Sequence, residues 1–122
     1  MLFVDAAQIS SVLTPRTLVE ALRDGFRAPV EVPVRHHHTI ARREGEMATL
    51  LLMPAWHALG DATQGSAFIG IKIATVFPEN AKRNAASVEA SYMLLDGETG
   101  RPLSVMEGRA ITLWRTAAAS AL

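Results

Sequence analysis

Apolar residues recur along the first quarter of the chain at helical spacing and along most of the rest at strand spacing. Leu18, Leu22 and Phe26 lie four residues apart, with Val19 beside them. That pattern marks a helix with one apolar stripe, running to about Arg27. Thr14 and Pro15 supply an N-cap and a first-turn proline for it. Upstream, "FVD" at 3–5 reads as a short strand, and Asp5 is placed to cap a short helix from Ala6 to about Leu13. Pro29 and Pro33 end the helical pattern.

From Val34 the period changes toward two. Strand-like runs cover 34–40, 47–56, 67–77, 87–96 and 101–107, the second stopping at Pro54 or just beyond. The segments between them are turn-like: "RREGE", the two-glycine loop "HALGDATQGS", the polar "PENAKRNAA" and the hairpin turn "GETG". Gly108 precedes a final helix. The expected fold is α+β, with a mostly antiparallel sheet of five to six strands, two N-terminal helices and a closing C-terminal helix. "LFV", "TLLLM", "FIGIKI" and "YMLL" leave both sheet faces apolar, more than so small a monomer can cover. A homodimer is therefore expected. The isoleucines of 67–77 would pack on the two early helices, and the second faces of the other strands on a twin.

Composition narrows the partners. The chain has 122 residues, 49% of them hydrophobic, which suits one domain with a modest core. Twelve basic and twelve acidic residues give a formal net charge of zero, so nothing electrostatic points to nucleic acid or an anionic membrane. No cysteine is present, which excludes disulfides, thiolate nucleophiles and thiolate metal sites. No apolar run reaches the roughly 20 residues of a membrane span, and "MLFVDAAQIS" is unlike a signal peptide. A cytoplasmic protein is the default expectation. The sequence stops at "TLWRTAAASAL" while still strongly helical. We therefore expect the first part of a longer protein, or one completed by another chain.

One residue conflicts with its surroundings. Lys72 sits in "FIGIKIATVF", where an unpaired charge is costly to bury. On a strand it shares a face with Phe68, Gly70, Ala74 and Val76, while Ile69, Ile71 and Ile73 point the other way. Small neighbours around a lone ammonium describe a pocket for an anion. Spacing alone also fits an exposed lysine on a solvent face, the commoner case. Arg35 shares a face with His37 and Thr39, as a clamp or as a surface ion-pair residue. His36 and His38 lie together on the opposite face, but two histidines without a third ligand make a poor metal site, and no metal is expected. Arg115 lies near the expected start of the last helix. With Thr116 and the helix end it would bind a carboxylate or phosphate, unless it is a surface residue packing its stem. Glu89 has no evident acid–base partner. Phosphate-loop, dinucleotide-fingerprint, nucleophile-elbow and zincin motifs are absent.

The ordered set "LLLMP" (50–54), "GIKIATVFPEN" (70–80), "LLDGETGRPLSVMEG" (94–108) and "LWRTAAASA" (113–121) resembles the N-terminal part of the ornithine cyclodeaminase/mu-crystallin family, over nearly the whole chain. The resemblance implies a substrate-binding and dimerisation domain at 1–108, with 109–122 starting the helix that leads to a Rossmann domain absent from these residues. It implies that Lys72, Arg35 and Arg115 hold a substrate carboxylate, with Lys72 also close to the reacting imine nitrogen or water. Ser87 and Arg115 would approach an NAD or NADP cofactor, bound mainly by the absent domain. These residues alone should then be inactive. Family members that act on ornithine carry a glutamate where this chain has Leu51. That puts ornithine in doubt and favours a cyclic ketimine, such as pyrroline-2-carboxylate, or a small oxo-acid/amino-acid pair; a ketimine reductase is the first reading, with an ornithine cyclodeaminase or an alanine dehydrogenase as the alternative. Two readings compete with an enzyme part: a non-catalytic dimeric module that binds small carboxylates, and a structural domain whose basic residues face water.

Overall fold

Asp5 caps the first helix through a reciprocal pair of hydrogen bonds. Its carboxylate accepts from the Gln8 backbone N–H at 2.8 Å, and the Gln8 side chain accepts from the Asp5 N–H at 2.9 Å. We describe a computed structural model of the chain covering residues 1–27, 29–57 and 67–121. Strand β1 (Leu2–Val4) leads into α1 (Ala6–Val12) and then α2 (Pro15–Arg27). Strands β2 (Val30–Glu31), β3 (His36–Ile40), β4 (Ala48–His57) and β5 (Phe68–Val76) follow. A 3-10 helix (Pro78–Arg83), β6 (Val88–Asp96), β7 (Pro102–Glu107) and α3 (Gly108–Ser120) complete the fold. Most of the loop expected at 57–66 lies outside the described residues.

All seven strands form one sheet in the order β1-β7-β6-β5-β4-β2, with β3 also paired to β4. Every pairing is antiparallel except β1 with β7. The α+β expectation holds, with two differences in the strands. The sequence pattern missed β2, because the prolines at 29 and 33 mask it. Strand β4 also runs through Pro54 to His57. The reason is local: β3 pairs with β4 up to Leu52, and β2 pairs with it only from Trp56. Pro54 falls in the gap between them, where its missing N–H breaks no ladder on that edge.

The helices do not cover the isoleucines, contrary to expectation. A Cβ on Gly108 at the start of α3 would lie 2.9 Å from the Ala90 Cβ. Ala90 opposes Ala74, two residues from Lys72, so α3 enters over the lysine face. Helices α1 and α2 pack against α3 on that side. Ile69, Ile71 and Ile73 are left half-buried on the opposite face, beside Leu52, Pro54, Met93 and Leu95. The fully buried apolar residues described are few and mostly small: Ile9, Ala48, Ala74 and Ala118. The apolar stripe of α2 is correspondingly shallow, with Leu18, Val19 and Leu22 half-buried and Phe26 73% exposed.

The close approach of α3 to β6 depends on Gly108. We expect Gly108→Ala to cost about 1–3 kcal/mol through overpacking. Gly25→Ala, in α2 with nothing within 4 Å of the new Cβ, should stabilise by up to about 1 kcal/mol. Urea denaturation of the two variants checks both signs.

Candidate functional site

Directly opposed residues of a sheet share a face, and the register puts a polar row across the middle of this one. Lys72 opposes Met53 on β4 and Tyr92 on β6, and Tyr92 in turn opposes Met106 on β7. On the outer edge His36 opposes Leu52. Continuing that register by one residue brings Arg35, just before β3, level with Met53 and so with Lys72. Arg115 reaches the same face from α3.

Electrostatics report the convergence. The Lys72 ammonium is held below its ordinary value of 10.5, first by burial and then by the charges of Arg115 and Arg35. The three cations belong to segments far apart in sequence, yet two of them act on the third. Lys72 is half-buried, whereas Arg35 and Arg115 are exposed. Two exposed guanidinium groups thus add their charge to a partly desolvated ammonium, an arrangement that favours a bound anion.

Two expectations about the site need correction. Gly70 does not leave open space beside Lys72, because the phenol of Tyr92 fills it. A Cβ at Gly70 would overlap the Tyr92 hydroxyl and lie 2.8 Å from its Cζ. Burial pushes the pKa of the Tyr92 phenol up, so its hydroxyl stays protonated. Secondly, Arg115 is not at a helix start. Helix α3 begins at Gly108, which puts Arg115 two turns in, about 10 Å along the axis. The free N–H groups at its N-terminus are already engaged, since Glu107 accepts from Arg109 N–H at 2.9 Å and Ala110 N–H at 2.7 Å. The Glu107 carboxylate thus already caps that end. Glu89 stands 3.8 Å from Arg109 Nη1, a solvent-exposed ion pair.

The remaining candidates lie elsewhere. Ser87 is half-buried just before β6, and its carbonyl accepts from the Phe77 N–H at 2.8 Å. Phe77 is five residues beyond Lys72, about 16 Å along the strand, so Ser87 stands outside the Lys72 group. His36 and His38 share the isoleucine face, with ring centroids 5.9 Å apart. Among the described residues no group of three or more histidine, aspartate or glutamate side chains is placed to hold a metal ion. None of the described helices is long and apolar enough to cross a membrane. Tyr92 is the residue that sequence reading missed. In "SYMLL" it reads as one more apolar strand position, and only the β5–β6 register sets it opposite Lys72.

Comparison with known proteins gives concordant matches. The family profile described as "Ornithine cyclodeaminase/mu-crystallin family" matches residues 2–122. The chain is 32% identical to a Delta(1)-pyrroline-2-carboxylate reductase of Colwellia psychrerythraea, over 100% of this chain and 37% of that protein. Its fold is similar to the Thermococcus litoralis Delta(1)-pyrroline-2-carboxylate reductase in complex with NADH and L-proline. That match has a TM-score of 0.75 at 30% identity, over 98% of this chain and 36% of that one. An archaeal alanine dehydrogenase dimer with bound NAD matches with a TM-score of 0.77 at 27% identity, over 98% of this chain and 34% of that one. The chain thus spans about a third of the length of the curated relatives it matches.

The strain at Lys72 has a sign that can be measured. A lysine whose folded value is lowered weakens the fold wherever it must carry a proton that the unfolded chain holds more easily. The penalty is fully present below the lowered value and fades as pH rises from there toward 10.5. Lys72→Met should therefore raise the melting temperature at neutral pH in anion-free buffer. The gain should shrink on approach to pH 10.5, as scanning calorimetry across that range would record.

Proposed function

The chain belongs to the ornithine cyclodeaminase/mu-crystallin family, and from that premise we propose that it is the substrate-binding and dimerisation part of an NAD(P)-dependent imine or amino-acid oxidoreductase. The observation that carries the proposal is the joint action of Arg115 and Arg35 on Lys72. A guest carboxylate on that face would relieve the repulsion among the three cations. It would also be held by hydrogen bonds to charged donors, the stronger kind. Lys72, Arg35 and Arg115 form the carboxylate clamp in this reading, and Lys72 stands closest to the atoms that react.

The substrate class follows from what lines the same face. Leu51 opposes Ala74, and Met53 opposes Lys72. Neither side chain can hold a distal ammonium, so a cyclic ketimine such as pyrroline-2-carboxylate or piperideine-2-carboxylate suits the face better than ornithine. A small oxo-acid and amino-acid pair is the next choice. The pyrroline-2-carboxylate reductase relatives favour the same class.

The described fold has no strand–helix–strand unit with a glycine-rich turn, and its one parallel pairing, β1 with β7, lies at the sheet edge. These residues therefore do not form a dinucleotide cradle. We assign residues 1–108 to the substrate and dimerisation domain, and 109–122 to the helix leading toward a Rossmann domain that would bind NAD or NADP. Ser87 and Arg115 are the groups nearest to meet that cofactor. When bound, the nicotinamide supplies hydride chemistry. The residues of this chain clamp and orient the substrate and set the charge around it.

The uncovered isoleucine face supports a homodimer, as does the dimeric alanine dehydrogenase relative. Ile69, Ile71, Ile73 and Leu52 would pack against the same face of a twin. A second reading, a binding module without catalysis, rests on the same clamp.

Pyrrole-2-carboxylate should bind saturably in calorimetric titration, and Lys72→Ala should weaken it roughly ten- to a hundredfold. Unchanged affinity in that variant would sink the clamp. In sedimentation equilibrium the protein should weigh two chains, and Ile71→Glu should give one.

A further inference from the structure

Tyr92 lies where a substrate body would otherwise extend. It opposes Lys72 directly, and its ring turns along the strand to cover Gly70. Gly70 is buried as a result. In the other direction along β5 the next residue on this face is Ala74, only 5% exposed beneath the α3 side of the sheet. Across the strands, Met53 flanks Lys72 on the side away from Tyr92. The ground above the ammonium is therefore short along the strand, closed at one end by the phenol and at the other by the helix layer.

We propose that Tyr92 is a specificity-determining residue that limits the guest to compact carboxylates. A five- or six-membered ring or a short chain fits, whereas fused-ring and long-chain amino or imino acids meet the phenol. The proposal rests on the reading of Lys72, Arg35 and Arg115 as a carboxylate clamp, and adds the size class that the clamp accepts. Gly70 and Tyr92 act as a pair: only a residue without a Cβ lets the ring lie flat over the strand. A shorter residue at 92 would leave Gly70 bare and lengthen the slot by about the depth of a ring. Discrimination by such packing is typically about ten- to two-hundredfold.

The test uses two probes that share a carboxylate and differ in length, pyrrole-2-carboxylate and its benzo-fused analogue indole-2-carboxylate. The protein should bind the smaller at least about ten times more tightly. Tyr92→Leu should narrow that ratio by about tenfold or more, chiefly by improving indole-2-carboxylate, while Tyr92→Phe should restore the discrimination. A ratio unchanged in Tyr92→Leu, with binding still lost in Lys72→Ala, overturns the role of Tyr92 and leaves the clamp standing. Binding of both probes that ignores Lys72→Ala overturns the clamp instead. A measurement on the unaltered protein guards against a misfolded variant. Tyr92 is the only tyrosine in the chain, so carbon-13 tyrosine labelling gives a single residue's ring resonances. They should shift as pyrrole-2-carboxylate saturates the site, and resonances that stay fixed at saturation overturn the proposal.

Discussion

The candidate site turns on one unfavourably placed charge, Lys72, whose first cost is burial. An ammonium at the centre of the sheet is partly removed from water, and two guanidinium groups from distant segments add to its cost. A fold selected for stability alone would put a methionine or leucine there, matching Met53 across the ladder. Retaining a lysine at that place is a local conflict of the kind that marks functional positions. The proposed clamp resolves that conflict with an anion shared by the three groups.

The sheet makes the convergence geometric. Lys72 is fixed by two ladders, one on each side, so its position is as rigid as any in the fold. Arg115 comes from α3, whose start is set by Gly108 against Ala90 and whose first turn is tied by Glu107. Arg35 sits at the interruption between β2 and β3, where the edge of β4 is briefly unpaired. The central cation is thus held stiffly and the outer two on longer, more exposed stems, a reasonable division between defining a site and adapting to a guest.

The two faces of the sheet have separate tasks. The lysine face carries the helix layer and the polar row. The isoleucine face is apolar and has no described helix upon it. A protein of this size with so few large buried side chains gains little from its own core. The remaining apolar surface of the isoleucine face is the area assigned to the proposed dimer contact. The proposed clamp and the proposed dimer face lie on opposite sides of the same strands.

By itself the sequence determined the local elements, because they follow from local physics. Asp5 and Thr14-Pro15 mark helix starts through capping and fixed φ. The alternation around Lys72 assigns its face, and the resemblance of "GIKIATVFPEN" and "LWRTAAASA" to a family singles out Lys72 and Arg115. It could not say which sheet face the helices cover, since both faces of β5 are apolar enough to invite them. Nor could it see that Tyr92 fills the space over Gly70, or that Glu107 occupies the end of α3. Each of those depends on register and on contacts between residues far apart in the chain, and pairing partners are fixed only when the whole sheet closes. Tertiary structure alone decided which charges act on Lys72, because electrostatic cost depends on distance and burial and not on order along the chain.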